Sequence, residues 1–147
     1  MELQKDTRSI KTSIFLLIVD SNIIISAAIA RGFSLDFIFN TELELSTPDF
    51  AQVELEKHFE EIALKSGLNE SELKLLFKTI FNKIRILPKE KYAHLKGKAL
   101  QTSPDPNDWP YFALALAEND SIWSNDKKLK RQAAIRVLNT REVAGLF

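Results

Sequence analysis

Residues 14–19, Ile-Phe-Leu-Leu-Ile-Val, are apolar without interruption and stop at Asp20. A strand with one wet face alternates polar and apolar side chains. A short unbroken apolar run is a strand covered on both faces, as in a parallel sheet between helices. The rest of the chain fits that demand. Helical spacing marks 23–30, with Gly32 as a stop, and a second short piece at 35–39. Alternation marks a strand at 43–47, ended by Pro48, and a helix follows over 49–65 to Gly67. Asn69 and Glu72 open another helix. A strand at 84–87 leads to a connection over 89–100 and turns over 102–110. Then come a helix at 111–118, a strand at 122–124, a short helix at 126–132 and a last strand at 135–138. Strands alternating with helices imply right-handed crossovers and an α/β fold with a mostly parallel sheet. Nothing marks a linker or a repeat, so 1–147 is expected to be one domain behind a polar leader at 1–13.

With no cysteine, the chain has no disulfides, thiolate zinc sites or cysteine nucleophile. Two histidines, His58 and His94, exclude a multi-histidine metal site, and four scattered glycines exclude a glycine-rich phosphate loop. The longest apolar run is far short of the roughly 20 residues of a membrane helix, and the leader lacks the apolar core of a secretory signal. No membrane association and a reducing cytoplasm are expected. What remains for catalysis is carboxylate chemistry.

Open α/β sheets bind ligands beyond the carboxyl ends of their strands. Asp20 ends the first strand. Asp126 follows the 122–124 strand by two residues. Asp108 lies in the Asp105-Pro-Asn-Asp-Trp-Pro110 turn, ahead of a helix. Glu54 lies early on the helix after the second strand. Singly, Asp20 and Asp126 read as helix caps, Asp105 still more so with Pro106 behind it, and Glu54 as one more surface charge. Together they read as a cluster. At about 4 Å and an effective dielectric near 20, each carboxylate pair costs roughly 4 kcal/mol. A hard divalent cation with oxygen ligands, Mg²⁺ or Mn²⁺, explains such a cluster.

These pieces resemble the PIN domain nucleases. The matching segments are Val19-Asp-Ser-Asn22, Glu54 within 48–58, Asp108 within 105–116, and Asp126 within 122–127, in order over about residues 14–138. The resemblance implies a three-layer α/β/α sandwich and metal-dependent hydrolysis of RNA phosphodiesters. It implies that Asp20, Glu54, Asp108 and Asp126 are the catalytic and metal-binding acids, Asp20 and Asp108 foremost. Asn22 and Ser124 match the polar residues that support them. It further implies a homodimer and, in the VapC-like branch, a toxin with an antitoxin partner. Two departures stand out. Lys127, Lys128 and Lys130 occupy a stretch where members often carry a further acid, and the segment 67–103 is longer and more basic than in the smallest toxins.

Net charge is zero but segregated. Acidic blocks at 40–72 and 105–126 alternate with basic blocks at 73–104 and 127–147. Lys89, Lys91, Lys96 and Lys98, with Lys127 and Lys128, form a basic rim suited to RNA phosphates. The same charges equally suit pairing inside the fold or across a dimer. Trp109 is a candidate to stack on a base, or a packing residue. His58, four residues after Glu54, is a candidate partner for it, or a surface histidine. Phe33, Phe37 and Phe39 with Leu35 and Ile38 form a dimer face or close the core. Two other readings compete with the nuclease. A phospho-acceptor receiver domain needs paired acids at the first strand and a lysine ending a late strand; Val19 and Ser124-Asn125 stand there instead. A non-catalytic module that keeps the fold and binds RNA or protein is opposed by the intact quartet.

Overall fold

The computed structural model describes residues 15–147, so the leader at 1–13 and Ile14 lie outside the described residues. Five strands form one sheet: β1 (Phe15–Val19), β2 (Leu43–Pro48), β3 (Ile84–Leu87), β4 (Ser121–Trp123) and β5 (Val137–Leu138). Their order is β3-β2-β1-β4-β5, and every pairing is parallel. The chain winds outward from β1 in one direction through β2 and β3, then returns to the other side of β1 for β4 and β5. β1 and β4 therefore flank the point where winding reverses, the place where such sheets open a crevice.

Among the described residues eight α-helices cover the sheet: α1 (Ser21–Ala30), α2 (Phe33–Ile38), α3 (Phe50–Lys57), α4 (Phe59–Ser66), α5 (Glu70–Phe81), α6 (Lys96–Thr102), α7 (Trp109–Glu118) and α8 (Thr140–Ala144). Strand alternation sorts the core into two layers. Leu17, Val19, Trp123 and Leu138 face one layer with Ile23, Ile24, Ile62, Leu73 and Ile80. Ile18, Ile122 and Val137 face the other with Tyr111, Phe112, Leu114 and Ala99. The expected α/β/α sandwich is the observed one. Helix α3 belongs to both layers: Leu55 packs in the first and Ala51 in the second. It thus lies across the carboxyl edge of the sheet, and it carries Glu54.

Five expected elements differ. The helix expected over 126–132 is only a 3₁₀ turn, Lys127–Lys130, capped by Asp126. The 49–65 helix breaks at His58, whose φ of −105° and ψ of 13° leave the helical region. The break turns Phe59 edge-on to Phe77, with ring centroids 6.3 Å apart. Packing here overrides local propensity. The connection over 89–100 is ordered as two 3₁₀ turns and α6. The last strand keeps only two residues, because the Gln132 amide binds both the N–H and the C=O of Ile135 and removes it from the ladder. Helix α7 begins at Trp109, so Pro110 is its second residue; a missing N–H still costs nothing in a first turn.

Candidate active site

Asp20 immediately follows β1 and its backbone extends the ladder, donating to Trp123 C=O at 3.0 Å. It is also the N-cap of α1, with Oδ1 accepting a long 3.4 Å bond from Asn22 N–H. The Ser124 hydroxyl donates to its other oxygen, Oδ2, at 2.7 Å. Ser124 is buried just past β4, and its Oγ also accepts the Asp126 N–H at 3.1 Å and lies 3.5 Å from Asn22 Nδ2. One hydroxyl therefore ties together Asp20, Asn22 and the backbone of Asp126. Asp126 caps the following 3₁₀ turn, accepting Lys128 N–H at 3.0 Å. Capping and convergence are compatible: both aspartates cap and both reach the same crevice.

Glu54 arrives from α3. Its Oε1 accepts the Ser21 hydroxyl at 2.9 Å and the Tyr111 hydroxyl at 2.5 Å. The Ser21 N–H in turn donates to the Tyr111 oxygen at 3.3 Å. Ser21 and Tyr111 were not among the sequence candidates. The available signals were a serine directly after Asp20 and a lone hydroxyl in the apolar first turn of α7. Asp108 precedes α7 and is half-buried, while Asp105 caps the turn before it, accepting Asn107 N–H at 2.9 Å. Asp105 is thus a cap, as its sequence context predicts.

The four acids lie within electrostatic reach of one another. Burial pushes the Asp108 carboxyl up to about 7, helped by the negative fields of Asp20, Asp105, Glu54 and Asp126. Burial pushes Asp20 up to about 6, against the lowering hydrogen bonds from Ser124 and the Asn22 backbone, with Glu54 and Asp126 adding to the rise. No lysine or arginine is among the dominant influences on either. Burial first, then Asp20 and Glu54, hold the Tyr111 phenol well above its usual value, so it stays a donor. Carboxylates raised in this way by burial and by one another are characteristic of functional sites.

Among the described residues no three of these side chains stand within one coordination shell. The donor chemistry nevertheless suits a hard divalent cation, being all oxygen and anionic. Asn22 Oδ1 adds a further point: it is buried and has no hydrogen-bond partner, an oxygen still owed a positive neighbour.

Two clefts are lined by Asp126 or by residues next to the acids in the chain. One is lined by Ser124, Asp126, Lys127, Lys130 and Arg141. The other, next to Asp108 and Glu54 in the chain, is lined by Asp49, Val53, Lys89, Lys96, Tyr92 and Trp109 among others. Of the six rim lysines, Lys127, Lys89 and Lys96 line these clefts; Lys91, Lys98 and Lys128 are exposed outside them. None of the six forms an ion pair among the described residues, whereas Lys74, Arg85 and Lys130 pair with Glu70, Glu118 and Glu142. The basic blocks thus divide between internal pairing and free charge. His58 pairs with Glu61, its Nδ1 3.6 Å from that carboxylate, not with Glu54.

A family model described as a PIN domain matches residues 18–144, which include all four acids. The chain belongs to the PIN domain family. Two solved structures share the PIN-like fold at low identity. VapBC2 from Rickettsia felis, bound to a DNA fragment from its promoter, is 16% identical with a TM-score of 0.62, covering 85% of this chain and 98% of that one. PAE2754 from Pyrobaculum aerophilum is 12% identical with a TM-score of 0.62, covering 91% and 90%. Comparison with curated protein sequences returns no match.

Proposed function

We propose that this PIN domain protein is a ribonuclease that hydrolyses RNA phosphodiester bonds with Mg²⁺ or Mn²⁺. The observation that carries the reading is the set of four carboxylates near the β1–β4 crevice, two of them pushed up in pKa by burial and by the other acids. Asp20 and Asp108 would hold the metal directly, with Glu54 and Asp126 completing the set directly or through water. When bound, a divalent cation neutralises the acids and the phosphate and acidifies a water for in-line attack on phosphorus. The chain's own residues prepare that site. Ser124 fixes the Asp20 carboxylate, Ser21 and Tyr111 fix that of Glu54, and Asn22 offers a buried oxygen. Lys127 and Arg141, in the cleft beside Asp126, supply charge for a neighbouring phosphate.

The similarity to a VapBC2 structure supports a role as the toxin of a toxin–antitoxin pair, acting in the cytoplasm with an antitoxin protein as partner. Among the described residues no helix is long and apolar enough to cross a membrane. A homodimer is part of the same reading. Its candidate face is the aromatic row of Phe33, Phe37, Phe147 and Phe15, with Phe33 77% exposed.

Purified protein should cleave single-stranded RNA with Mg²⁺ or Mn²⁺, stop in EDTA, and lose most activity as Asp20→Asn or Asp108→Asn while staying folded. Cleavage that persists in EDTA or in both variants refutes the mechanism. No cleavage of any RNA together with no Mn²⁺ binding by calorimetry favours the non-catalytic module instead.

A further inference from the structure

The cleft on the Asp108 side differs in character from the one beside Asp126. Its charges cancel: Asp49 and Glu56 oppose Lys89 and Lys96. It is therefore a poor phosphate pocket. What distinguishes it is an aromatic pair. Trp109, half-buried, follows Asp108 directly and lines the cleft. Its ring lies 5.8 Å from that of Tyr92, tilted by 53°. Tyr92 is buried and anchored, its hydroxyl donating to Asp49 Oδ1 at 2.5 Å, while Lys89 N–H donates to Asp49 Oδ2 at 3.1 Å. Asp49 is thus occupied within the fold, and the indole rests on a rigid support. The Lys96 ammonium sits over the indole, 4.9 Å from its centroid, at the end of an exposed flexible side chain. Val53, which also lines the cleft, is 60% exposed, an apolar side chain that the core does not use.

We infer that this cleft is a nucleobase subsite: one base of single-stranded RNA lies on the Trp109 ring in place of the Lys96 ammonium, which turns to an adjoining phosphate. A cation over a solvent-accessible ring is a weak contact, and base stacking on the same ring is the stronger one. Lys96 loses little in the exchange, since an RNA phosphate replaces its aromatic partner. Val53 supplies an apolar edge for the base. Trp109 is covalently next to Asp108, so a base held here sets which phosphate reaches the acids. The inference rests on the ribonuclease reading for its choice of ligand, but its test reads binding.

The chain has two tryptophans, and Trp123 is fully buried, so quenching of indole emission by bound RNA reports on Trp109. Asp20→Asn protein, which holds RNA without cutting it, is titrated with a short single-stranded oligoribonucleotide. Emission should be quenched, and adding Trp109→Phe should abolish the quench. An oligoribonucleotide made abasic throughout should bind the Asp20→Asn protein about tenfold more weakly, a difference that Trp109→Leu erases. Thermal melts of both tryptophan variants verify folding. A quench that survives Trp109→Phe, or an abasic penalty that survives Trp109→Leu, overturns the subsite. If the wild type cleaves RNA while either result appears, only the subsite fails. If RNA neither binds nor is cleaved, both readings fail.

Discussion

Ser124 and Asp20 lie 104 residues apart in sequence and 2.7 Å apart across the β1–β4 boundary. The serine hydroxyl opposes the burial that pushes Asp20 towards neutrality, since a donor favours the ionised form. Ser124 is thus a positioning residue: it acts through Asp20. Ser124→Ala should lower Mn²⁺ affinity and activity by about 10- to 100-fold, the usual loss when a group supporting a metal ligand is removed. Ser124→Thr, which keeps the hydroxyl, should recover most of both. Calorimetry with Mn²⁺ beside RNA cleavage checks this; unchanged affinity in Ser124→Ala would leave the serine a merely structural role.

Metal-free stability should fall as pH rises. Asp20 and Asp108 have folded-state pKa values of about 6 and about 7, raised from 3.8. Between the unfolded and folded values the folded chain binds more protons than the unfolded one, so each unit of pH favours unfolding. The effect is complete above about pH 7. Asp108→Asn should therefore melt above the wild type at pH 8 in EDTA, by about 3 °C or more, with the gap closing near pH 4. Mn²⁺ should raise the wild-type Tm at pH 8 and shift Asp108→Asn much less. Thermal melts with and without EDTA provide the test.

Tyr111→Phe removes the donor to Glu54 and the acceptor of Ser21 N–H at once. Leaving a buried N–H unpaired should cost about 1–3 kcal/mol of stability, read by urea unfolding. Activity should fall beyond that loss, because Glu54 keeps only the Ser21 hydroxyl. A fully active Tyr111→Phe protein would detach Glu54 from the site.

RNA affinity should fall steeply with salt. Each phosphate contact to a single strand contributes about 0.7 to the slope of log K against log salt. Lys127→Ala and Lys96→Ala should each flatten it by about that amount. Lys74→Ala, whose lysine is paired with Glu70, should leave it unchanged. Equal slopes in all three would assign the rim to another role.

The placement of Asp20 was legible, because a strand whose Leu17, Ile18 and Val19 are buried leads into it and fixes the carboxyl edge of the sheet, although Leu16 is 49% exposed. Asp108 and Asp126 needed only their places after turn and strand. Tyr111 and Ser21 were not legible: a tyrosine in an apolar helix reads as core, and only the fold brings it to Glu54. The break at His58 has no proline or glycine to announce it, and arises from where Phe59 finds Phe77. The ordering of 89–100 rests on Tyr92 reaching Asp49, 43 residues earlier, a contact no local pattern reveals.

Helix α3 seats Ala51 in one core layer and Leu55 in the other, with Glu54 between them. Its tilt is therefore a lever with two anchors. A cavity cut beside Leu55, in one layer, and one cut beside Ala51, in the other, should each shift the same carboxylate. Repacking mutations remote from the crevice become a means of tuning turnover, and catalytic rate becomes a gauge of how evenly the two halves of the interior are filled.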